Sequence, residues 1–250
     1  MTTTNKKVFS GTSGLVVPIP RQSYPPEFQG KSRLTYYASL FDSIEINSSF
    51  YKMPMIATVK KWAKSVPDDF SFTFKLSKTI THSKGLLFNP EDVDLFMQTI
   101  SHVGNKKGCV LVQFPPGVKL EKFNEVEELV NCIGEYNTEH NWKVAIEFRH
   151  ASWYLAEVYE LLNHNNMAMV IHDLPASLTP LSNSTPAFAY LRFHGPGGHY
   201  RGSYDDDFLQ KYAQYIKACV DEGKMVYFYF NNTMGDAVKN LTTLNEFTRQ

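Results

Sequence analysis

The chain has 250 residues, of which 43% are hydrophobic and 20% charged, so it can bury a large core in one domain or two small ones. Its 25 Lys and Arg balance 25 Asp and Glu, which argues against a surface coated in positive charge for nucleic acid, although a local basic groove stays open. Three widely spaced cysteines without a CxxC pair argue against a disulfide framework or a thiolate zinc site. We expect a soluble cytoplasmic protein, because we find neither a signal peptide nor an apolar run of about 18 residues that could enter a membrane.

Eight short runs rich in β-branched and aromatic residues predict strands, most of them ending at Gly, Pro or Asn. They begin at Lys7, Asp42, Phe70, Cys109, Lys143, Met167, Phe188 and Met225. Helical spacing lies between them, and the segment from Asn89 to Gly104 has a cap, a proline in the first turn and a glycine stop. The segment 176–187, between the sixth and seventh strands, is predicted to be a loop. The alternation predicts one α/β domain over residues 1–250, a TIM-type (β/α)₈ barrel, with an open doubly wound sheet as the alternative.

Polar residues alternate with apolar ones at the C-terminal ends of the predicted strands. In a barrel, one parity faces the interior and the other faces the helices. The polar residues predicted to face the barrel interior are Glu45, Asn47, Thr73, Lys75, Gln113, Glu147, Arg149, Arg192, His194 and Asn231. Barrel enzymes build their sites at this end, so we expect these side chains to converge. Taken singly, many have a structural explanation: an ion pair that fixes register, a snorkelling lysine, turn asparagines or surface histidines.

The residue types indicate acid–base chemistry on an anion. Glu147 is the predicted general acid or base, and Glu45 is predicted to orient a partner. His82, His150 and His194 are candidate proton carriers because imidazole titrates near neutral pH. Lys75, Arg149 and Arg192 are predicted to bind anionic oxygens of the substrate. The full set of predicted substrate-binding residues is Asn47, Tyr51, Lys75, Gln113, Arg149, Trp153, Asp173, Arg192, Asn231 and Asn232. No cofactor is required, although His and carboxylates could hold a divalent metal whose ligands the sequence does not identify.

Several motifs together resemble one known family, the domain-of-unknown-function 72 (YecE-like) family. The resemblance covers nearly the whole chain and rests on GTSG at Gly11–Gly14, IEINSSFY at Ile44–Tyr51, FTFKLSKTITH at Phe72–His82, VQFPP at Val112–Pro116, AIEFRHASW at Ala145–Trp153, DLP at Asp173–Pro175, YLRFHG at Tyr190–Gly195 and YFYFNNTMGDAVKNL at Tyr227–Leu241. It implies a TIM-type barrel but little chemistry. The family pattern usually has Trp where this chain has Leu15. A likeness to endonuclease IV-type barrels is an analogy of fold.

We therefore expect an enzyme, hydrolase-like or phosphodiesterase-like, that acts on a phosphate- or carboxylate-bearing small molecule or nucleic-acid fragment. A bound anion should contact Arg149 or Arg192, unless carboxylates already satisfy both guanidiniums. A non-catalytic nucleic-acid-binding barrel is the first alternative, and its affinity should fall steeply with salt. A glycoside hydrolase that uses Glu45 and Glu147 is the second. The oligomeric state leaves no signal in the sequence.

Overall fold

The structure is a computed structural model that describes residues 6–181 and 187–249. Eight parallel strands form the barrel in the order β1-β8-β7-β6-β5-β4-β3-β2. They are β1 (Val8–Thr12), β2 (Ser43–Ile46), β3 (Ser71–Lys75), β4 (Lys107–Gln113), β5 (Lys143–Glu147), β6 (Ala168–His172), β7 (Phe188–Phe193) and β8 (Met225–Phe230). The predicted TIM-type barrel is confirmed, and the open doubly wound alternative is not observed.

The barrel closes between β1 and β2. The backbone N–H of Gly14 donates to the carbonyl of Glu45 at 2.8 Å, and Ser13 pairs with Glu45 in a parallel bridge. The strands approach closely, because a Cβ built on Gly11 would lie 2.0 Å from the carbonyl oxygen of Ser43. Only glycine fits this contact. The backbone of β1 is further tied by Thr12, whose N–H donates to the Tyr37 hydroxyl at 2.8 Å.

Helices follow most of the strands. They are α1 (Arg33–Leu40), α2 (Ser48–Tyr51), α3 (Ile56–Lys64), α4 (Lys78–Thr81), α5 (Pro90–Ser101), α6 (Phe123–His140), α7 (Ala156–His164), α8 (Asp206–Asp221) and α9 (Ala237–Arg249). The predicted start of α5 is confirmed, since the Asn89 side chain accepts from the N–H of Glu91 at 3.2 Å.

The connection between β6 and β7 differs from the others. Its described part contains a short 3₁₀ turn, Pro175–Ser177, and no α-helix. The predicted loop is therefore confirmed for residues 176–181, whereas residues 182–186 lie outside the described part of the chain. No helix within the described ranges is long and apolar enough to cross a bilayer.

Two apolar layers confirm the predicted strand parity. The outer layer packs the sheet against the helices and includes Ile44, Phe72, Val112, Ile146, Leu191 and Phe230. The inner layer fills the barrel with aliphatic residues, aromatic residues and one cysteine: Cys109, Leu111, Ala145, Ala168, Val170, Phe188, Tyr190, Tyr227 and Tyr229. The inner parity of β2, β5 and β7 then places Glu45, Glu147 and Arg192 above this layer, at the C-terminal mouth.

Candidate functional site

A buried ion network lies across the mouth, with the Arg192 guanidinium between two carboxylates. Arg192 donates from Nε and Nη2 to the two Glu45 oxygens at 2.9 and 2.7 Å, and from Nη1 to Glu147 Oε2 at 2.6 Å. All three side chains are at most 1% exposed. The two-pronged contact with Glu45 is the geometry in which guanidinium binds carboxylate best. These contacts connect the C-terminal ends of strands β2, β5 and β7 across the barrel mouth.

Both network carboxylates are ionised. Burial alone would raise the pKa of the Glu45 carboxyl, but the charge and hydrogen bonds of Arg192 outweigh it and lower the pKa below its ordinary value. Burial likewise opposes ionisation of Glu147, yet Arg149 and Arg192 hold its pKa well below the ordinary value. A carboxylate held this way is a weak base and no proton donor at neutral pH.

Arg149 joins this network to the surface. Its Nε donates to Glu147 Oε1 and its Nη2 donates to His194 Nε2 at 3.2 Å, while Nη1 reaches the Tyr200 hydroxyl at 3.4 Å. Its side chain is 12% exposed, in contrast to the 1% of Arg192. Two of its five N–H groups therefore have no partner in the described part of the chain.

His194 is a neutral imidazole in a fixed tautomer. Its Nε2 faces N–H groups of both Arg192 and Arg149 at 3.2 Å, so it must accept, and Nδ1–H donates to Asp173 Oδ1 at 3.2 Å. Burial lowers the His194 pKa to about 4, against the opposing effects of Asp173 and Glu147. Asp173 is itself held by the Tyr204 hydroxyl and by the backbone N–H of His194.

Lys75 lies at the mouth without a counter-ion. Its ammonium donates to Gln113 Oε1 at 2.9 Å and sits 4.0 Å from the centre of the Phe50 ring. The Gln113 amide is oriented by its own donation to the carbonyl of Phe114 at 2.7 Å. No carboxylate lies within 4.0 Å of Lys75 Nζ among the described residues. Burial, with the charge of Arg192, lowers the Lys75 pKa to about 8.

His82 lies beside Lys75. Its ring meets Phe50 edge-on at 4.9 Å, and its Nδ1 is 2.8 Å from the Thr81 hydroxyl. Burial lowers the His82 pKa to about 4, assisted by the positive charges of Lys75, Arg149 and Lys78. This side chain is thus uncharged at neutral pH, and three positive charges favour its neutral form.

The other predicted residues lie outside this cluster or serve the backbone. The His150 ring accepts from the N–H of Ser152 at 3.2 Å, which caps a short turn. Trp153 has no exposed surface and donates from Nε1 to the carbonyl of Val118 at 2.9 Å, while its ring stacks on Phe148. It is part of the outer apolar layer and offers a ligand no contact.

Four more predicted residues belong to neighbouring regions. Tyr51 is 70% exposed at the rim, and Asn232 is buried, where it donates to the carbonyl of Gly202 at 2.9 Å. The prediction that Asn47 shares the inner face with Glu45 is wrong, because the chain leaves β2 at Ile46 and is helical at Asn47, which breaks the alternation. Asn47 instead lines a cavity on the helix side of β2 with Leu15 and Trp62, and its Oδ1 has no described partner. For Asn231, the contact described is its backbone N–H donating to the carbonyl of Phe193 at 2.7 Å.

Sequence reasoning missed several buttressing residues. Tyr190 donates its hydroxyl to Glu45 Oε2 at 2.5 Å, and strand parity could have found it, because it lies two residues before Arg192 on the same face. His172 Nε2 is 2.8 Å from the carbonyl of Phe148. The Tyr204–Asp173 contact joins residues 31 positions apart and leaves no local signal.

The described side chains form no metal-ligand set. No group of three or more His, Cys, Asp or Glu residues is arranged to hold an ion in residues 6–181 and 187–249. The carboxylates of Glu45 and Glu147 already bind guanidiniums, which compete with any cation. In the described structure, both of these carboxylates are therefore engaged by arginine.

Comparison with known proteins identifies the family. The profile described as "Protein of unknown function DUF72" matches residues 9–250. The UPF0759 protein YunF of Bacillus subtilis is 27% identical over 248 residues, which cover 87% of this chain and 86% of YunF. A crystal structure of a DUF72 family protein from Enterococcus faecalis has a TM-score of 0.79 at 21% identity, covering 97% of this chain and 96% of that one. One from Thermotoga maritima has a TM-score of 0.73 at 25% identity, covering 97% and 99%. The chain belongs to the DUF72 family.

Proposed function

We propose that the C-terminal mouth is the active site of an acid–base enzyme whose substrate carries a phosphate or carboxylate group. The observation that carries the proposal is the half-buried ammonium of Lys75, which has an amide and an aromatic face as partners but no described carboxylate. An unpaired cation in such a place is costly unless a ligand supplies the opposite charge.

The charges around Lys75 favour an anion. Glu45 and Glu147 contact Arg192 and Arg149, and Asp173 contacts His194, so these carboxylates already have partners within the network. Lys75 is the cation of the mouth that none of the three carboxylates contacts. Arg192 is fully buried and makes four contacts, whereas Arg149 keeps two N–H groups without a described partner. An anion held by Lys75 and Arg149 would balance the charge and satisfy those donors.

In this proposal Lys75 carries the proton. Its pKa of about 8 places both protonation states within reach of neutral pH, as general acid–base catalysis requires. Glu147 fixes the orientation of Arg149 instead of acting as the base, because its low pKa makes it a poor proton acceptor. His194 assists by holding both guanidiniums from its Nε2 side.

The two alternative functions gain no specific support. A glycoside hydrolase needs one carboxyl that stays protonated at neutral pH, and both Glu45 and Glu147 have lowered pKa values. The site supplies cations for about one anionic group, which is less than a nucleic-acid strand engages.

The cysteines described as free, Cys109, Cys132 and Cys219, fit a reducing compartment, and we propose the cytoplasm.

Isothermal titration with inorganic phosphate and with sulfate tests the binding step. We expect saturable binding near pH 7 that Lys75→Gln and Arg149→Gln each weaken at least about tenfold, the loss of roughly one charge-assisted hydrogen bond. Lys60→Gln is the matched control, because Lys60 is exposed on α3. Affinity should also decline as pH rises above 8, since Lys75 then loses its charge. Unchanged affinity in both mouth variants would overturn the proposal.

Turnover is tested separately. The protein is incubated with a panel of phosphorylated and carboxylated metabolites, and their consumption is followed by proton NMR. We expect at least one to be consumed by the wild type and the Lys60→Gln control, with loss of turnover in Lys75→Gln. A compound consumed equally by all three proteins would remove Lys75 from the proton-transfer role.

A further inference from the structure

A cavity opens beside Arg149, and Lys75 is not among the residues that line it. Its volume is about 300 Å³, within the range of small-molecule sites. Loops that follow β4, β5, β6 and β7 line it, whereas Lys75 ends β3 and Phe50 follows β2. Its walls are mainly carbon, from Pro116, Leu174, Pro175 and Ala176, with the backbone of Gly197 and Gly198 closing one side.

Arg149 is the junction between this cavity and the ion network. Its guanidinium is tied to Glu147 and His194 on the barrel side, and the same side chain lines the cavity. The two N–H groups without a described partner belong to this residue. A ligand whose anionic group binds Arg149 would therefore have the apolar cavity next to that group.

The glycine-rich loop, residues 194–204, gives the cavity a fixed wall. Its fold needs left-handed backbone at Gly195, Gly198 and Gly202, and also at Tyr200, where φ is 61°. A Cβ on Gly198 would lie 2.9 Å from Pro175 Cδ, so glycine allows the loop to pack directly against the β6 loop. The Tyr200 N–H donates to the carbonyl of His194 at 2.7 Å, which ties the loop to the network.

We infer that the substrate is an amphipathic anion: a phosphate or carboxylate group lies between Lys75 and Arg149, and an apolar body, such as an aromatic ring, occupies the cavity beside Arg149. This inference rests on the proposed function and narrows its substrate class. The cavity favours an apolar body over a purely polar one, such as a free sugar, because most of its wall is carbon, while polar side chains enter the lining at Ser177 and His199 beside Arg149.

Two monoesters that differ in the apolar group test the inference. Methyl phosphate and phenyl phosphate carry the same anionic group, and isothermal titration gives the ratio of their affinities. We expect phenyl phosphate to bind about tenfold tighter, which corresponds to withdrawing roughly two methylene groups of apolar surface from water. Acetate and benzoate form the parallel carboxylate pair and should show the same preference.

Ala176→Leu places extra carbon into the cavity and should bring the affinity ratio close to one. Ala57→Leu is the matched control, since Ala57 is exposed on α3 and does not line the cavity; it should keep the ratio. If the wild type binds both esters equally, the inference fails while the proposed anion site stands. If the ratio survives Ala176→Leu, the ring lies elsewhere and the inference also fails. Binding of neither ester would overturn the proposed function itself.

Discussion

Replacement of Arg192 by Met tests whether the buried network holds the barrel mouth together. The change removes the only cation within bonding distance of Glu45 in the described structure and leaves Tyr190 as its hydrogen-bond donor. Glu147 is affected less because it keeps Arg149. We therefore expect the main cost to come from one fully buried carboxylate without a counter-charge.

The magnitude follows from the desolvation of that carboxylate. Removing one partner of a buried ion pair costs about 3–5 kcal/mol. Because the pKa of an unpaired, buried Glu45 rises above its unfolded value, the cost of Arg192→Met should be larger at pH 7.5 than at pH 5, where Glu45 can fold in its protonated form. The companion change Glu45→Gln should cost less, about 2 kcal/mol, since Arg192 keeps Glu147.

Urea unfolding followed by tryptophan fluorescence measures these free energies for the wild type, both single variants and the double variant. The double variant should be more stable than Arg192→Met alone at pH 7.5, because the uncompensated carboxylate is gone. A loss below about 1 kcal/mol in Arg192→Met would refute the reasoning. So would a double variant whose loss equals the sum of the two single losses, since that result means no coupling.

Three further changes probe the neighbouring contacts. His194→Gln should reduce the pH dependence of stability between pH 4 and 6.5: with its pKa lowered from 6.5 to about 4, the folded imidazole binds fewer protons than the unfolded one, so His194 contributes a loss of about 3 kcal/mol as pH falls through this window. His82 and His172, whose pKa values are also lowered, keep part of the dependence in the variant. Equal changes of unfolding free energy with pH in the wild type and the variant would contradict this. Gly11→Ala should cost more than about 3 kcal/mol in thermal unfolding, because its Cβ would lie 2.0 Å from a carbonyl oxygen of β2. The control, Gly117→Ala, has open space around the new Cβ and should change stability by less than about 0.5 kcal/mol. Tyr204→Phe should cost about 2 kcal/mol in urea by removing a donor from the buried Asp173 carboxylate; wild-type stability would show that this contact contributes nothing.

The alternation of side chains along each strand carried most of what could be predicted about the site. Glu45, Glu147 and Arg192 occupy the inner parity of three strands, and parallel strands bring their C-terminal ends to one mouth. That argument needs only local sequence and the barrel geometry. It therefore located the cluster without any knowledge of side-chain conformations.

What parity could not supply is which charge pairs with which. Residues 45 and 192 are 147 positions apart, and their two-pronged contact depends on how far each side chain reaches across the barrel. From the sequence, Arg192 and Arg149 were predicted to bind an anion in the same way. The structure separates them, because two carboxylates occupy Arg192 while Arg149 reaches the surface.

Parity also gives no information beyond the ends of the strands. Trp153 was predicted to bind substrate as an aromatic side chain that could stack on a base or sugar, yet the chain turns after Arg149 and buries the indole in the outer layer. Lys75 was predicted as one of three equivalent cations. Its lack of a described counter-ion became visible only when the positions of Gln113 and Phe50 were known.

A crystal structure of the protein soaked with inorganic phosphate tests the central claim most directly. We predict density for the anion at the C-terminal mouth, within hydrogen-bond distance of both Lys75 Nζ and an Nη atom of Arg149, with the Glu45–Arg192–Glu147 network unchanged beneath it. Phosphate bound elsewhere, or a mouth that stays unoccupied at concentrations that saturate binding in solution, would contradict the account.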